Sequence, residues 1–399
     1  MTEIFTGSFT QQEPIPAEGI EAAMAVLHHG RLHRYNTDGN EVAEAALLEE
    51  EFAAQMGAKY CLACASGGYA MATALRACGV KPGDRVLSNA FTLAPVPGAI
   101  ASVGATPVFV EVTADLTLDL DDLADKLDQA RVLLLSHMRG HICDMDRLMA
   151  MCNAAGVTVI EDCAHTMGAK WNGTWSGRHG AMGCYSTQTY KHVNSGEGGL
   201  LVSDDPDLMA RAVMLSGSYM LYGRHRAAPP PEAFADVRLE TPNISGRMDN
   251  LRAAILRPQL HNLDAQARRW NDRYKVLEDG LADTAGLTLI PRPDHESYVA
   301  SSFQFLLLDW SDAAITDVLS RCAARGVELK WFGADDPQAF TSKYDSWRYA
   351  NPQPMPRTDR ILKGVIDMRL PLTFNLEDCA MIARIIRAEV AAVWQAQAA

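Results

Sequence analysis

The sequence contains no long hydrophobic run. None of its segments offers the roughly 18 uncharged apolar residues that a membrane-spanning helix needs, and residues 1–16 contain no apolar stretch with basic flanks. Basic residues are also scarce relative to acidic ones, 36 against 49, and the formal net charge is −13. A chain this acidic repels nucleic acid and anionic membranes. We therefore expect a cytoplasmic protein with no nucleic-acid or membrane partner.

The sequence also lacks an even set of cysteines and a metal-binding pattern. Nine cysteines, an odd number, are scattered through apparent core segments. Cys61 and Cys64 have the C-x-x-C spacing, but no second pair follows, so we interpret them as buried and reduced. His28, His29 and His33 have no cysteine or carboxylate at the spacing of a metal site. We predict no bound metal.

Common nucleotide-binding motifs are missing as well, because the sequence has neither a Walker loop nor a G-x-G-x-x-G fingerprint. Instead, short apolar runs alternate with amphipathic helical segments from about residue 59 onward. Uniformly apolar strands separated by helices indicate an α/β fold with a mainly parallel sheet. Seven segments have this strand character: Tyr60–Ala63, Arg85–Ser88, Pro107–Val112, Val132–His137, Val157–Glu161, Gly183–Ser186 and Gly199–Val202.

The pattern changes in the C-terminal third of the chain. A helical stretch over 248–278 is followed by a strand–helix–strand pattern after residue 291 and a closing helix over 375–395. A chain of 399 residues exceeds the usual span of one core. We predict a large α/β domain with the N-terminal segment at 1–260, and a smaller α+β domain at 261–399.

Lys191 and Asp162 are the candidate catalytic residues. Lys191 follows a hydroxyl-rich stretch and precedes the Gly-Glu-Gly-Gly turn at 196–199, and an amine held there can form an imine with an aldehyde cofactor. Asp162 follows an apolar strand, where a carboxylate facing a pyridine nitrogen keeps that nitrogen protonated. Ala164, two residues on, shares its face and would lie under the ring.

A small-residue loop, Ser66-Gly67-Gly68, opens a helix near Tyr69. Amides at a helix start bind anions, glycines admit a phosphate closely, and Ser186 adds a hydroxyl. An anion site, an aspartate and a lysine are the protein parts that pyridoxal 5'-phosphate (PLP) needs. Each feature alone also has a structural explanation, as a turn, an acidic strand end or a solvated lysine, so the prediction rests on their combination.

In this combination the chain resembles the DegT/DnrJ/EryC1/StrS family of PLP-dependent sugar aminotransferases, within the fold-type I aspartate aminotransferase superfamily. The family motifs occur in order from about residue 30 to the C-terminus. They are Ser66-Gly67-Gly68, Lys81-Pro82-Gly83-Asp84, Gly104-Ala105-Thr106-Pro107-Val108-Phe109-Val110, His137-Met138-Arg139-Gly140, Asp144-Met145-Asp146, the Asp162 segment, Lys191, Glu197-Gly198-Gly199 and Arg247-Met248.

The resemblance implies a role for each matching residue. Lys191 would bind the cofactor covalently, and Asp162 would face its ring nitrogen. Ser186, Gly67 and Gly68 would hold its phosphate. His165 stands where the family usually has glutamine, beside the phenolic oxygen of the cofactor. The family also implies a homodimer whose subunits share their active sites.

Other positions depart from the family pattern. Gly68 replaces a threonine, so one phosphate hydroxyl is lost. Leu93 replaces the aromatic residue that stacks on the ring, and Phe91, two residues earlier on the same face of an extended chain, is the candidate substitute. Ser245 replaces a cross-subunit asparagine, for which Asn243 is an alternative.

Arg139 and His192 are the candidate substrate-binding residues. Arg139 stands where the family commonly carries an aromatic residue, and in the mouth of the site it would bind a carboxylate or phosphate of an acidic acceptor. A salt-bridged arginine outside the pocket is the other interpretation. His192 directly follows Lys191.

We therefore predict a PLP-dependent aminotransferase that works by ping-pong chemistry on Lys191. It would move an amino group from L-glutamate or L-glutamine to a keto group on a sugar, cyclitol or related small molecule, including an acidic one. Two alternatives stay open: a PLP enzyme without transamination (lyase, cyclase or epimerase) acting on an amino-acid-like substrate, and a non-catalytic regulatory homologue.

Overall fold

The computed structural model of the chain describes residues 3–398, which form fourteen strands and thirteen α-helices. The strands are β1 (Tyr60–Cys64), β2 (Arg85–Asn89), β3 (Thr106–Val110), β4 (Val132–Ser136), β5 (Thr158–Asp162), β6 (Lys170–Trp171), β7 (Thr174–Trp175), β8 (Met182–Ser186), β9 (Gly199–Ser203), β10 (Thr288–Leu289), β11 (Glu296–Ser297), β12 (Ser302–Leu306), β13 (Lys330–Trp331) and β14 (Val365–Arg369). The helices are α1 (Ala17–His29), α2 (Glu44–Met56), α3 (Gly67–Ala77), α4 (Pro95–Ser102), α5 (Leu120–Ala124), α6 (Met145–Ala155), α7 (Pro206–Leu215), α8 (Val237–Glu240), α9 (Asn250–His261), α10 (Leu263–Leu281), α11 (Asp312–Ala324), α12 (Pro356–Gly364) and α13 (Leu376–Ala398). None of these helices is both long enough and apolar enough to cross a bilayer.

Seven strands form one sheet, in the order β1-β9-β8-β5-β4-β2-β3. Strand β9 runs antiparallel to both of its neighbours, and the pairs β8-β5, β5-β4, β4-β2 and β2-β3 are parallel. All seven predicted strands lie in this sheet, with ends within two residues of those expected from the sequence. The predicted α/β fold with a mainly parallel seven-stranded sheet is therefore confirmed.

The strands are buried along nearly their whole length because helices cover both faces of the sheet. Successive side chains of a strand point to opposite faces. On β4, Leu134 enters the core beneath α3, α4 and α7, whereas Leu133 and Leu135 enter the core beneath α6. Cys61 and Cys64 of β1 likewise enter different cores, and both are free. The C-x-x-C pair therefore does not form one site.

The C-terminal region forms a four-stranded antiparallel sheet, β10-β12-β14-β13, against which α10, α11 and α13 pack. Phe5 and Phe9 pack in this core too, so the N-terminal segment contacts the region predicted as the small domain. The predicted helical stretch over 248–278 is two helices, α9 and α10, separated at Asn262. The division at residue 260 stays a prediction.

Strand β14 lies inside the second sheet but is not among the segments predicted as strands. It directly follows α12, and its apolar residues are separated by two charged ones, Asp367 and Arg369. In a strand these two residues, two positions apart, share one face. That face brings both charges towards the candidate site described next.

Candidate active site

The carboxyl ends of three adjacent parallel strands meet at one edge of the large sheet and open into a cavity of about 410 Å³. Ser136 ends β4, Asp162 ends β5 and Ser186 ends β8, and the first two are partners in the strand register. The volume is that of a small-molecule site. Of the twelve predicted site residues, nine line this cavity: Gly67, Gly68, Leu93, Arg139, Asp162, Ala164, His165, Ser186 and Lys191.

Lys191 enters the cavity from the loop after β8, and its Nζ lies 3.0 Å from Nε2 of His165. Burial lowers the pKa of Lys191 from 10.5 to about 7, the positive charges of Arg139 and Arg369 add to this effect, and Asp162 opposes it. Burial also lowers the pKa of His165 well below 6.5. The neutral form of His165 can accept this hydrogen bond from the amine or donate it to the amine, according to which ring nitrogen carries the proton.

Asp162 is a buried carboxylate held only by neutral groups. Ser136 Oγ donates to its Oδ2 over 2.9 Å, and the Ala164 N–H donates to its Oδ1 over 3.1 Å. Burial raises the pKa of Asp162 above 3.8, and these hydrogen bonds, together with the charge of Lys191, oppose the rise. Among the described residues no cation is hydrogen-bonded to this carboxylate.

Ser136 is a site residue that the sequence reasoning missed. Its backbone is bonded to the side chain of Asn89 through both N–H and C=O, each over 2.9 Å. The Thr92 hydroxyl donates to Ser136 Oγ over 2.8 Å, so the proton of Ser136 is free to point at Asp162. The sequence does show a serine at the end of an apolar strand, but it does not show that the end of β5, with Asp162, lies beside it.

Helix α3 begins at the loop predicted to bind phosphate. Ser66 caps this helix, because its Oγ accepts from the Tyr69 N–H over 3.1 Å. A Cβ on Gly67 would lie 2.9 Å from Cβ of Ser186, whereas one on Gly68 would meet nothing closer than 3.9 Å. Glycine at position 67 therefore allows the helix start to approach the end of β8. The amides at this helix start and the Ser186 hydroxyl therefore lie close together in the cavity wall, and their role in binding an anion stays a prediction.

Arg139 combines the two interpretations drawn from the sequence. It lines the cavity, but its Nη2 lies 2.8 Å from Oδ2 of buried Asp367. Gln304 Nε2 occupies the other oxygen of Asp367 over 2.7 Å. Arg139 also adopts a left-handed backbone, with φ of 56°, which residues other than glycine rarely do. Its charge is paired through one Nη, its Nε has no hydrogen-bond partner among the described residues, and its role in binding substrate stays a prediction.

Phe91 does not line the cavity. Its side chain is 1% exposed and packs edge-on against Phe332, with ring centroids 5.0 Å apart. The chain bends at residues 90–91, so Phe91 and Leu93 do not share a face as they would in an extended segment. The expectation that Phe91 covers a cofactor ring is corrected, and Leu93 is the residue that reaches the cavity.

His192 and Ser245 also lie away from the cavity of this chain. His192 is 2% exposed and packs edge-on against Trp270, with ring centroids 5.2 Å apart. This burial corrects the expectation that His192 contacts substrate. Ser245 is exposed and accepts a hydrogen bond from Arg247 over 3.1 Å. A cross-subunit role for Ser245 stays a prediction.

The sequence reasoning also missed the cavity wall contributed by the second sheet and its neighbouring loop. Arg369 ends β14, and Phe340, Ser342 and Trp347 follow β13 in a loop. Tyr190 joins them from the loop that carries Lys191. Nothing in the local pattern of 365–369 showed that this strand faces the lysine.

The model of the DegT/DnrJ/EryC1/StrS aminotransferase family matches residues 15–387 of this chain. The chain belongs to this family. Membership confirms the resemblance inferred from the sequence, including the expectation of an aminotransferase family fold.

Two curated relatives and one solved structure illustrate the match. The chain is 31% identical over 286 residues to a putative L-glutamine:3-amino-2,3-dideoxy-scyllo-inosose aminotransferase of Micromonospora echinospora, covering 70% of this chain but only 66% of that relative. It is 30% identical over 311 residues to the L-glutamine:2-deoxy-scyllo-inosose aminotransferase of Streptomyces fradiae, covering 76% and 72%. The structure of S. venezuelae DesV in complex with a ketimine intermediate superimposes with a TM-score of 0.78 at 26% identity, covering 93% of this chain and 94% of that one.

Proposed function

We propose that this protein is a PLP-dependent aminotransferase, with Lys191 and Asp162 as its catalytic residues. The observation that carries the proposal is their geometry. A buried amine whose pKa is lowered to about 7 shares one cavity with a buried carboxylate that lacks a cationic partner among the described residues. A neutral amine can form an imine near pH 7, and an unpaired carboxylate can stabilise a protonated pyridine ring.

The residues present fit PLP. The start of α3 and Ser186, whose close approach a Cβ on Gly67 would obstruct, would provide an anion site for its phosphate. Asp162 would face the ring nitrogen, and Lys191 would hold the aldehyde carbon. When bound, the cofactor supplies an electron sink for the bond broken at the substrate carbon.

The chain's own residues then position and move protons. Ser136 keeps Asp162 oriented through its 2.9 Å hydrogen bond. With the cofactor bound, the Lys191 amine would accept a proton from the reacting carbon of a substrate and return it. Its contact with the neutral imidazole of His165 does not compete for that proton, because burial disfavours the charged form of the imidazole.

We further propose that the amino donor is L-glutamine or L-glutamate and that the acceptor is a keto group on a cyclitol or sugar. The names of the relatives from Micromonospora echinospora and Streptomyces fradiae, both L-glutamine:inosose aminotransferases, support this choice.

The test is the absorbance spectrum of the purified protein with PLP, before and after titration with each donor. We expect the visible band of the lysine-bound cofactor to appear, and to be replaced by the band of the amine form when the donor is added. A band that neither donor changes would favour the non-transaminating alternative. A band that persists in the Lys191→Ala variant would contradict the assignment of that lysine.

We also propose that two copies of the chain form a homodimer. One face of α1 packs against α9, while Ile20, Met24 and Leu27, at helical spacing, leave 45–52% of their surface exposed. An apolar stripe of this kind fits a self-complementary interface. Light scattering should show a dimer that dissociates in the Met24→Glu variant but not in Leu376→Glu, which alters a similarly exposed leucine on α13. A monomeric wild-type protein would contradict the proposal.

A further inference from the structure

Four buried polar side chains form a hydrogen-bonded chain between the second sheet and the segment after β4. Arg139 Nη2 donates to Asp367 Oδ2 over 2.8 Å, and Gln304 Nε2 donates to Asp367 Oδ1 over 2.7 Å. Gln304 and Asp367 are partners in the register of β12 and β14. His141 Nε2 lies 3.0 Å from Gln304 Oε1, which returns the chain to the segment of Arg139. None of the four residues is more than 7% exposed, so the network joins the two sheets out of water.

Arg139 depends on this network for its position in the cavity wall. Its left-handed backbone, with φ of 56°, is unfavourable for a residue other than glycine and persists where surrounding contacts fix it. Its Cζ lies 5.8 Å from the ring centroid of Phe332, and its Nε is buried without a partner among residues 3–398. Within the same residues, Asp367 is the one side chain hydrogen-bonded to Arg139.

The charge of Arg139 acts on the reacting amine. Burial is the first cause that lowers the pKa of Lys191, and the charge of Arg139 is the second, ahead of Arg369, while Asp162 opposes both. The other titratable groups close to this amine are His165, Tyr190 and Glu197 in the cavity wall and His192, the next residue in the chain. A carboxylate bonded directly to the guanidinium of Arg139 weakens the field that the guanidinium exerts at Lys191.

We propose that Asp367 is a positioning residue of the active site, which fixes Arg139 in the cavity wall and balances its charge beside Lys191. This inference rests on the proposed function, in which Lys191 is the reacting amine, and deepens it by adding a residue of the second sheet to the control of that amine. Asp367 would act through Arg139, because its own side chain is fully buried and does not line the cavity.

Removing one or the other member of the pair changes the charge near Lys191 in opposite directions. Asp367→Asn leaves the guanidinium without its counter-charge, which disfavours the protonated form of Lys191. Arg139→Met removes the positive charge and leaves the carboxylate, which favours the protonated form. A role confined to packing would move the titration of Lys191 in the same direction in both variants, or in neither.

The test measures the proton affinity of Lys191 in the full chain, first without and then with PLP. In the cofactor-free protein, the rate at which acetic anhydride acetylates Lys191 at each pH, read by mass spectrometry, follows the fraction of neutral amine. In the PLP-loaded protein, the visible band of the lysine-bound cofactor changes as the Lys191 nitrogen releases its proton. Glu49→Gln is the matched control, because it also removes the carboxylate of a buried pair, Arg34–Glu49, and neither residue lines the cavity.

We expect Asp367→Asn to lower the proton affinity of Lys191 about tenfold and Arg139→Met to raise it by a similar factor. The double variant should lie between the two single variants. Glu49→Gln should reduce stability and leave the titration of Lys191 as in the wild type. Shifts in the same direction for Asp367→Asn and Arg139→Met, or no shift in either, would overturn the proposal. An equal shift in Glu49→Gln would overturn it too.

The proposal stays testable if Asp367→Asn does not fold. Arg139→Met and the double variant differ only at position 367, so a lower proton affinity in the double variant supports the proposal and equal affinities overturn it. The proposed function is tested separately, because it fails if the wild-type protein neither binds PLP through Lys191 nor transaminates, whereas the acetylation titration needs no cofactor.

Discussion

The lowered pKa of Lys191 predicts a specific pH dependence of stability for the cofactor-free protein. The folded-state pKa is about 7 and the ordinary value is 10.5, so between these values the unfolded chain binds a proton that the folded chain does not. Stability then rises with pH across this window, because folding requires the amine to release its proton and the free-energy cost of that release falls as the pH approaches 10.5. Below pH 7 both states are protonated and the full cost remains.

The size of the effect follows from the shift. One pKa unit corresponds to about 1.4 kcal/mol, so the upper limit across the window is about 5 kcal/mol. Water in the cavity screens the amine, and we expect about 1–2 kcal/mol of added stability between pH 7.5 and 9.5. The Lys191→Met variant removes the charge, keeps most of the side-chain volume, and should lack this rise.

The assay is urea unfolding of cofactor-free protein at several pH values, comparing wild type with Lys191→Met. The difference between the two curves isolates Lys191 from the cysteines and tyrosines that also titrate. Lys81→Met, which removes one exposed positive charge, is the control for net charge. Parallel curves for wild type and Lys191→Met would refute the reasoning that burial holds this amine neutral.

Two other substitutions test how the site is built. Ser136→Ala removes one of the two hydrogen bonds to Asp162, which should raise the pKa of that carboxyl and slow the donor half-reaction about 10-fold below neutral pH. The control is Ser88→Ala, which also removes a buried strand hydroxyl and should leave the pH profile of the reaction unchanged. Identical pH profiles for the two variants would argue against the role of Ser136. Gly67→Ala should destabilise the cofactor-free protein by about 1–3 kcal/mol because its Cβ overlaps the neighbouring strand end, whereas Gly68→Ala should be neutral or stabilising in the first turn of α3. Thermal unfolding of the Gly67→Ala and Gly68→Ala variants measures the two changes in stability, and an equal loss of stability in both would contradict the packing argument.

Local patterns in the sequence determined most of the fold and the chemical identity of the site. Each strand of the large sheet is buried on both faces and lies in a short segment with apolar residues at its centre, and such segments are visible without any knowledge of strand order. Lys191, Asp162 and Gly67 stand beside strand ends and turns, where spacing alone indicates their chemistry. Family motifs in order along the chain made the combination specific.

Tertiary structure decided which charges are paired and which residues the site also needs. Ser136 contacts Asp162 because β4 and β5 are neighbours in the sheet. Arg139 meets Asp367 across 228 positions of sequence, and this contact pairs the charge of an arginine that also lines the cavity. Local patterns do not encode such pairings, because they depend on how two sheets are placed against each other. The sequence thus predicted the candidate reacting groups, and only the folded chain decided which charges beside them are paired.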